Sequence, residues 1–108
     1  MGEYQSCMGG SSGGLDPRTK YQIQGNQVLT LGRPDGLFIF FKKWPVVATF
    51  VLGENTKVVT KDSKSNGSGT IRLENPDRRS ESFWIYGKFD KFVSELEING
   101  LRLSNTLF

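Results

Sequence analysis

The chain has 108 residues, a length that suits one domain, and 36% of them are hydrophobic. It contains no histidine and a single cysteine, so the most common general base is absent and no intrachain disulfide can form. This composition argues against hydrolase triads and zinc sites, and we expect a protein that is not an enzyme and holds no metal or cofactor. The formal net charge of +3 slightly favours contact with phosphates or anionic surfaces.

The sequence shows neither a membrane-spanning segment nor a secretory signal. No apolar run reaches the roughly 18 to 20 residues that a transmembrane helix needs. The N-terminus also lacks a basic region followed by an apolar one, which a secretory signal requires. Together with the single cysteine, these features favour a reducing, intracellular compartment.

The N-terminal segment 1–17 is rich in glycine and serine, above all at residues 9–14. Such a composition is typical of a flexible linker, and we expect a flexible tail there. Residues 18–108 are then expected to form one β domain.

The dipeptide Gly25-Asn26 predicts a β-hairpin near the start of this domain. It lies between two segments of alternating polar and apolar residues and suits a type II′ or I′ turn. The resulting register places Ile23 opposite Val28.

Two runs rich in β-branched and aromatic residues, 37–41 and 46–52, predict strands in the middle of a sheet. Pro45 separates them, because proline has no amide hydrogen to donate. Further strands are expected from 56–60, 70–74 and 82–86, for a total of seven to nine. Short strands at regular spacing are typical of an antiparallel sandwich or barrel, so the predicted fold class is all-β.

The dipeptide Asn99-Gly100 predicts a second hairpin, with Ile98 opposite Leu101. Asparagine tolerates a positive φ and glycine adopts it freely, so the pair suits a type I′ turn. This is the stronger of the two hairpin signals.

The segment before this dipeptide has an alternative interpretation. Phe89, Phe92, Val93 and Leu96 recur at i, i+3, i+4 and i+7, the spacing of one face of a helix. A short helix over 88–96 could therefore pack against the sheet. We favour the hairpin, because its turn signal is the more specific of the two.

Aromatic residues are the first candidates for a binding surface. Alternation puts Phe83 and Ile85 on one face of their strand and Trp84 and Tyr86 on the other. If the first face is buried, the second presents an exposed aromatic pair suited to stacking on a partner. Trp44, Trp84 and Tyr86 are therefore candidate anchors.

The terminal residues Leu107 and Phe108 are a candidate docking arm, because they are apolar groups without a core of their own. These features favour a non-catalytic structural or interaction module that associates with itself through β edges, aromatic surface and terminal arms. A small Phe-rich β domain without catalytic residues is similar in kind to small viral or phage structural proteins, and the likeness is one of fold class only. The expected partner is a second copy, in a homo-oligomer, and no small-molecule substrate is implied.

A single-stranded nucleic-acid-binding β-barrel is the alternative function. Cations would hold phosphates while Trp84 or Tyr86 stacks on bases. The candidate cations lie in the second half of the chain: Lys57, Lys61, Lys64, Arg72, Arg78 and Arg79.

A lipid-anchored peripheral membrane protein is the third hypothesis. Gly2, followed by Ser6, has the outline of an N-myristoylation signal, and Cys7 could take a second acyl chain. Glu3 is unfavourable beside the acylated glycine. A membrane is an expected partner only if the chain is lipidated.

Overall fold

The computed structural model describes residues 2–7, 15–33 and 44–102. Seven strands and one helix lie in these segments. The strands are β1 (Glu3–Cys7), β2 (Leu15–Gln24), β3 (Gln27–Gly32), β4 (Val46–Val51), β5 (Lys57–Ser63), β6 (Gly69–Glu74) and β7 (Ser80–Ile85), and the helix is α1 (Phe89–Ile98). They pair antiparallel in the order β4-β3-β2-β1-β7-β6-β5. The all-β prediction is confirmed.

The sheet curls so that strands far apart in this order meet across the core. The ring centroids of Phe50 on β4 and Phe83 on β7 are 6.0 Å apart, in an edge-to-face arrangement. At one end of the sheet, Nδ2 of Asn75 in the β6–β7 turn donates to the carbonyl oxygen of Val51 at a distance of 2.9 Å. This curvature is typical of a sandwich or barrel, because one face of the sheet is enclosed.

The enclosed face carries an aromatic core. Tyr21 on β2 packs edge-to-face on Phe83, with ring centroids 5.4 Å apart, and Phe92 of α1 lies 5.8 Å from the same ring. Each fully buried apolar side chain of this kind contributes roughly 1.5 to 3 kcal/mol to folding. The helix therefore completes the core that the strands begin.

The hairpin at Gly25-Asn26 is confirmed. β2 and β3 pair with Ile23 opposite Val28, as the turn predicts. Gly25 has a φ of 58°, a conformation that glycine adopts without strain.

The predicted hairpin at Asn99-Gly100 is wrong, and the helical alternative is correct. α1 buries the residues at i, i+3, i+4 and i+7 against the sheet, whereas Ile98 is 81% exposed. A hairpin would have to place Ile98 in the core, but the helix gains more buried apolar surface by burying Phe89, Phe92, Val93 and Leu96 together.

The same dipeptide ends the helix instead of turning a hairpin. Gly100 has a φ of 120° and its amide donates to the carbonyl oxygen of Glu97 at 3.3 Å. The amide of Leu101 reaches the carbonyl oxygen of Leu96 at 2.8 Å. These two bonds form a Schellman motif around Asn99 and Gly100, and the buried Leu101 supplies its hydrophobic contact.

The N-terminal segment differs from the flexible tail expected over 1–17. Glu3–Cys7 forms β1, which lies between β2 and β7 in the sheet, and β2 begins at Leu15. Tyr4 and Ser6 alternate with polar neighbours and are buried, so this short strand has a core face of its own. The glycine-rich composition of residues 9–14 obscured that alternation.

Candidate association surface

The strand β4 lies at one end of the sheet order, and within the described residues it pairs with β3 alone. It carries no charged side chain, and Val46, Val47 and Val51 are 52%, 64% and 46% exposed. The sequence predicts a central position for this strand, and because the predicted strand 37–41 lies outside the described residues, that position stays a prediction. Strand order depends on which distant segments pair, and the composition of one strand does not encode it.

At Thr49 the backbone amide and carbonyl of β4 point away from β3, towards the side where the described residues place no further strand. The amide of Leu52 donates to the carbonyl oxygen of Asn26 at 2.7 Å. Backbone groups alternate in direction along a strand, so the amide and carbonyl of Phe50, two residues earlier and opposite Val28, also point towards β3. In an antiparallel ladder the residues between these point their polar groups the other way. Val51 follows this rule, because its carbonyl oxygen accepts the bond from Asn75.

The strand β5, at the other end of the described sheet, carries charged side chains, which β4 lacks. Its register shifts between Val58 and Thr60, and Lys61 lies opposite Ile71, whose side chain is fully buried. A bulge and a charge on the inner side are both features that block pairing at a sheet edge. β4 has one irregularity, at Val47, and residues 48–51 beyond it pair regularly with β3.

A groove of about 500 Å³ adjoins β4 on the outer face of the sheet. Trp44 forms one wall, with Nζ of Lys20 4.2 Å from the centroid of its ring, and Lys20 also pairs with Glu3 at 3.2 Å. Trp44, a predicted anchor, is thus fixed beside the open edge. The lining residues of the groove are Glu3, Lys20, Gln22, Gln24, Leu29, Leu31, Trp44 and Val46.

Trp84 and Tyr86, the predicted aromatic pair, are both exposed, as stacking on a partner requires. Phe83 and Ile85 are fully buried, while Trp84 and Tyr86 are 36% and 40% exposed. Neither of the exposed rings lines the groove. Leu107 and Phe108, the predicted docking arm, and the predicted strand 37–41 lie outside the described residues.

The six basic candidates for nucleic-acid binding are distributed over β5, β6 and the turns at the two ends of β6. Lys57 and Arg78 line a cavity at the β6–β7 turn. Lys64 lies in the β5–β6 turn, at the opposite end of β6. Arg72 donates to Oγ of Ser80 at 2.9 Å. Of the remaining two, Lys61 lies opposite a core residue of β6, and Arg79 is paired with its neighbour Asp77.

The two lipidation candidates are engaged in the fold. The amide of Gly2 donates to Oε2 of Glu95 at 3.0 Å, and a Cβ atom at Gly2 would overlap Glu95 and Tyr4. Cys7 is buried on β1. An acyl chain on either residue would have to displace packed groups.

A polar cluster lies on the inner side of β7. Burial raises the pKa of Glu81, and the nearby hydroxyl of Thr30 offsets part of that shift, although its geometry falls short of a standard hydrogen bond. Burial also raises the pKa of Tyr21, while Ser6 and the backbone of Trp84 act in the opposite direction. Because the pKa of each group is raised by folding, both groups make stability depend on pH.

In the segments that the structure describes, no three His, Cys, Asp or Glu side chains are grouped so that they could hold a metal ion. None of the helices found in those segments is long and apolar enough to cross a membrane. Comparison of the chain with protein-family models, curated proteins and solved structures finds no match.

Proposed function

We propose that the protein is a non-catalytic structural module that associates with a second copy of itself through β4, the end strand of the sheet within the described residues. The observation that supports this proposal is the contrast between the two ends of the sheet. β5 carries lysines at its edge, whereas β4 is an uncharged strand of β-branched residues with three exposed valines. Exposed apolar edges of this kind are the surfaces on which strands of another chain pair.

A twofold axis at Thr49 is the simplest geometry for this contact. Antiparallel pairing of two β4 strands sets Thr49 opposite the same residue of the second copy and Val47 opposite Val51. The amide and carbonyl groups of Thr49 then gain partners, and the two curled sheets become continuous. The adjoining groove, with Trp44 at its wall, extends the apolar surface available to the second copy.

The experiment is a measurement of mass in solution for two matched variants. Thr49→Lys places a charge at the open edge of β4, and Thr60→Lys places the same charge on β5. Both positions are exposed, so both variants are expected to keep the circular dichroism spectrum of the parent chain.

We expect sedimentation equilibrium at tens of micromolar to give a dimer for the parent chain and for Thr60→Lys, and a monomer for Thr49→Lys. A monomeric parent chain, or a Thr49→Lys protein that stays dimeric, would refute the proposal. Nuclease treatment before the measurement keeps bound nucleic acid from contributing to the mass.

A further inference from the structure

A cavity of about 610 Å³ lies where the beginning of β5 meets the β6–β7 turn. Its volume falls within the range of small-molecule sites in proteins. Basic, acidic and amide side chains meet in its lining, which consists of Asn55, Lys57, Glu74, Asn75, Pro76 and Arg78. This mixture can satisfy both a charged group and the hydroxyl groups of a polar ligand.

One wall of the cavity is held by a chain of hydrogen bonds. The hydroxyl of the fully buried Thr56 bonds to Oδ1 of Asn75 and accepts the amide hydrogen of Gly53 at 2.8 Å. Nδ2 of Asn75 is bound to the carbonyl oxygen of Val51. The position of Asn75 is therefore fixed before any ligand arrives, as preorganised binding requires.

The cations of the cavity are available to a ligand. Lys57 and Arg78 make no ion pair with any described residue, although Glu74 lies opposite Lys57 in the β5–β6 register. Two cations and one carboxylate leave a net charge of +1 in the lining. A lysine ammonium and an arginine guanidinium together are a common arrangement for holding phosphate.

Arg78 has a backbone conformation that favours glycine. Its φ is 69°, and among the described residues no other residue except glycine has a positive φ. The turn is closed around it, with the amide of Arg78 donating to the carbonyl oxygen of Asn75 at 2.9 Å. A residue other than glycine is uncommon in this conformation, and strained backbone positions of this kind cluster at functional sites.

We propose that this cavity binds a small phosphate ester with free hydroxyl groups. Lys57 and Arg78 hold the phosphate, and Glu74 and Asn55 accept hydrogen bonds from the hydroxyl groups. The site lies in the β5–β7 part of the sheet and does not depend on association through β4.

The test uses the full chain, ribose 5-phosphate as the probe, and ribose and inorganic phosphate as comparison ligands, followed by amide chemical shifts in nuclear magnetic resonance. We expect saturable shifts around residues 55–57 and 74–78 with ribose 5-phosphate, weaker binding of inorganic phosphate and no binding of ribose.

Arg78→Gly separates binding from stability. Because glycine relieves the backbone strain, this variant should unfold at a higher temperature than the parent chain and bind ribose 5-phosphate at least ten times more weakly. Lys57→Gln should also weaken binding. Arg79→Ala is the matched control, since Arg79 is outside the cavity lining, and it should bind like the parent chain.

Three results would overturn the proposal. They are the absence of saturation at millimolar ribose 5-phosphate, unchanged binding by Arg78→Gly, and tighter binding of a short single-stranded oligonucleotide with shifts that spread to Lys61, Lys64 and Arg72. The last result would assign the cations to a nucleic-acid surface.

Discussion

The hydroxyl of Tyr4 on β1 donates a hydrogen bond to Oε1 of Glu95 on α1, joining the first strand of the fold to its last helix. The other carboxylate oxygen of Glu95 accepts the amide hydrogen of Gly2. The ring of Tyr4 packs edge-to-face on Phe92, with centroids 5.1 Å apart. Burial, reinforced by the hydrogen bond and the charge of Glu95, raises the pKa of Tyr4 above its ordinary value, so the hydroxyl stays protonated and remains a donor.

Removing this hydroxyl should destabilise the protein. Tyr4→Phe keeps the ring and its contact with Phe92 but leaves Glu95 with one donor fewer, and we expect the free energy of unfolding to fall by about 1 to 3 kcal/mol. Urea denaturation measures the difference. Glu95→Gln, which keeps an acceptor oxygen, should lose less. Equal stability of Tyr4→Phe and the parent chain would contradict this account.

Glu81 should make stability depend on pH. Because burial raises its pKa in the native state, the native protein binds the proton more tightly than the unfolded chain, and stability falls as pH rises from the ordinary value of 4.5 through the raised one. Glu81→Gln should therefore raise the melting temperature at about pH 7, with a smaller gain at about pH 4. Glu97→Gln, at an exposed helix position, is the control. A gain for Glu81→Gln that is the same at both pH values would refute the prediction.

Gly100→Ala should destabilise the end of α1 through its backbone alone. A Cβ atom at this position meets nothing within 4 Å, but the φ of 120° strains any other residue. We expect a loss of about 1 to 2 kcal/mol in the free energy of unfolding. Gly53→Ala is the matched control, since its nearest contact would be 3.8 Å away. If both variants unfold at the same denaturant concentration, the Schellman motif has no energetic importance here.

Gly69→Ala should destabilise the protein through a clash. A Cβ atom there would overlap the ring of Phe89 and lie 2.7 Å from the carbonyl oxygen of Asp62. Overpacking of this kind costs about 1 to 3 kcal/mol. Phe89→Leu provides a double-mutant cycle, and the combined variant should lose less than the sum of the two single losses. Strict additivity would show that the two residues do not interact.

The two hairpin predictions show what local sequence determines. Gly25-Asn26 turns a hairpin because residues on both of its sides alternate with period two and bury a face in the same core. Asn99-Gly100 is the stronger turn sequence, but the positive φ that suits a type I′ turn also suits a helix end. The outcome depended on whether four apolar residues at helical spacing could fill the enclosed end of the sheet, which is a property of the whole fold.

The sequence predicts only some of the candidate surfaces. The exposed pair of Trp84 and Tyr86 follows from alternation once Phe83 is buried. The place of β4 at the end of the described sheet does not follow from alternation, because it depends on strand order. The cavity at Arg78 also escaped prediction, because the hydrogen bonds that fix Asn75 join segments that are separate in the chain.

Cys7 ends β1, the strand between β2 and β7, so its burial couples the chain's one thiol to the pairing at that end of the strand. Alkylating reagents reach that sulfur when the end of β1 opens away from Leu15, its partner on β2. The rate of thiol labelling under native conditions is therefore a kinetic readout of this opening, and no reporter group has to be introduced.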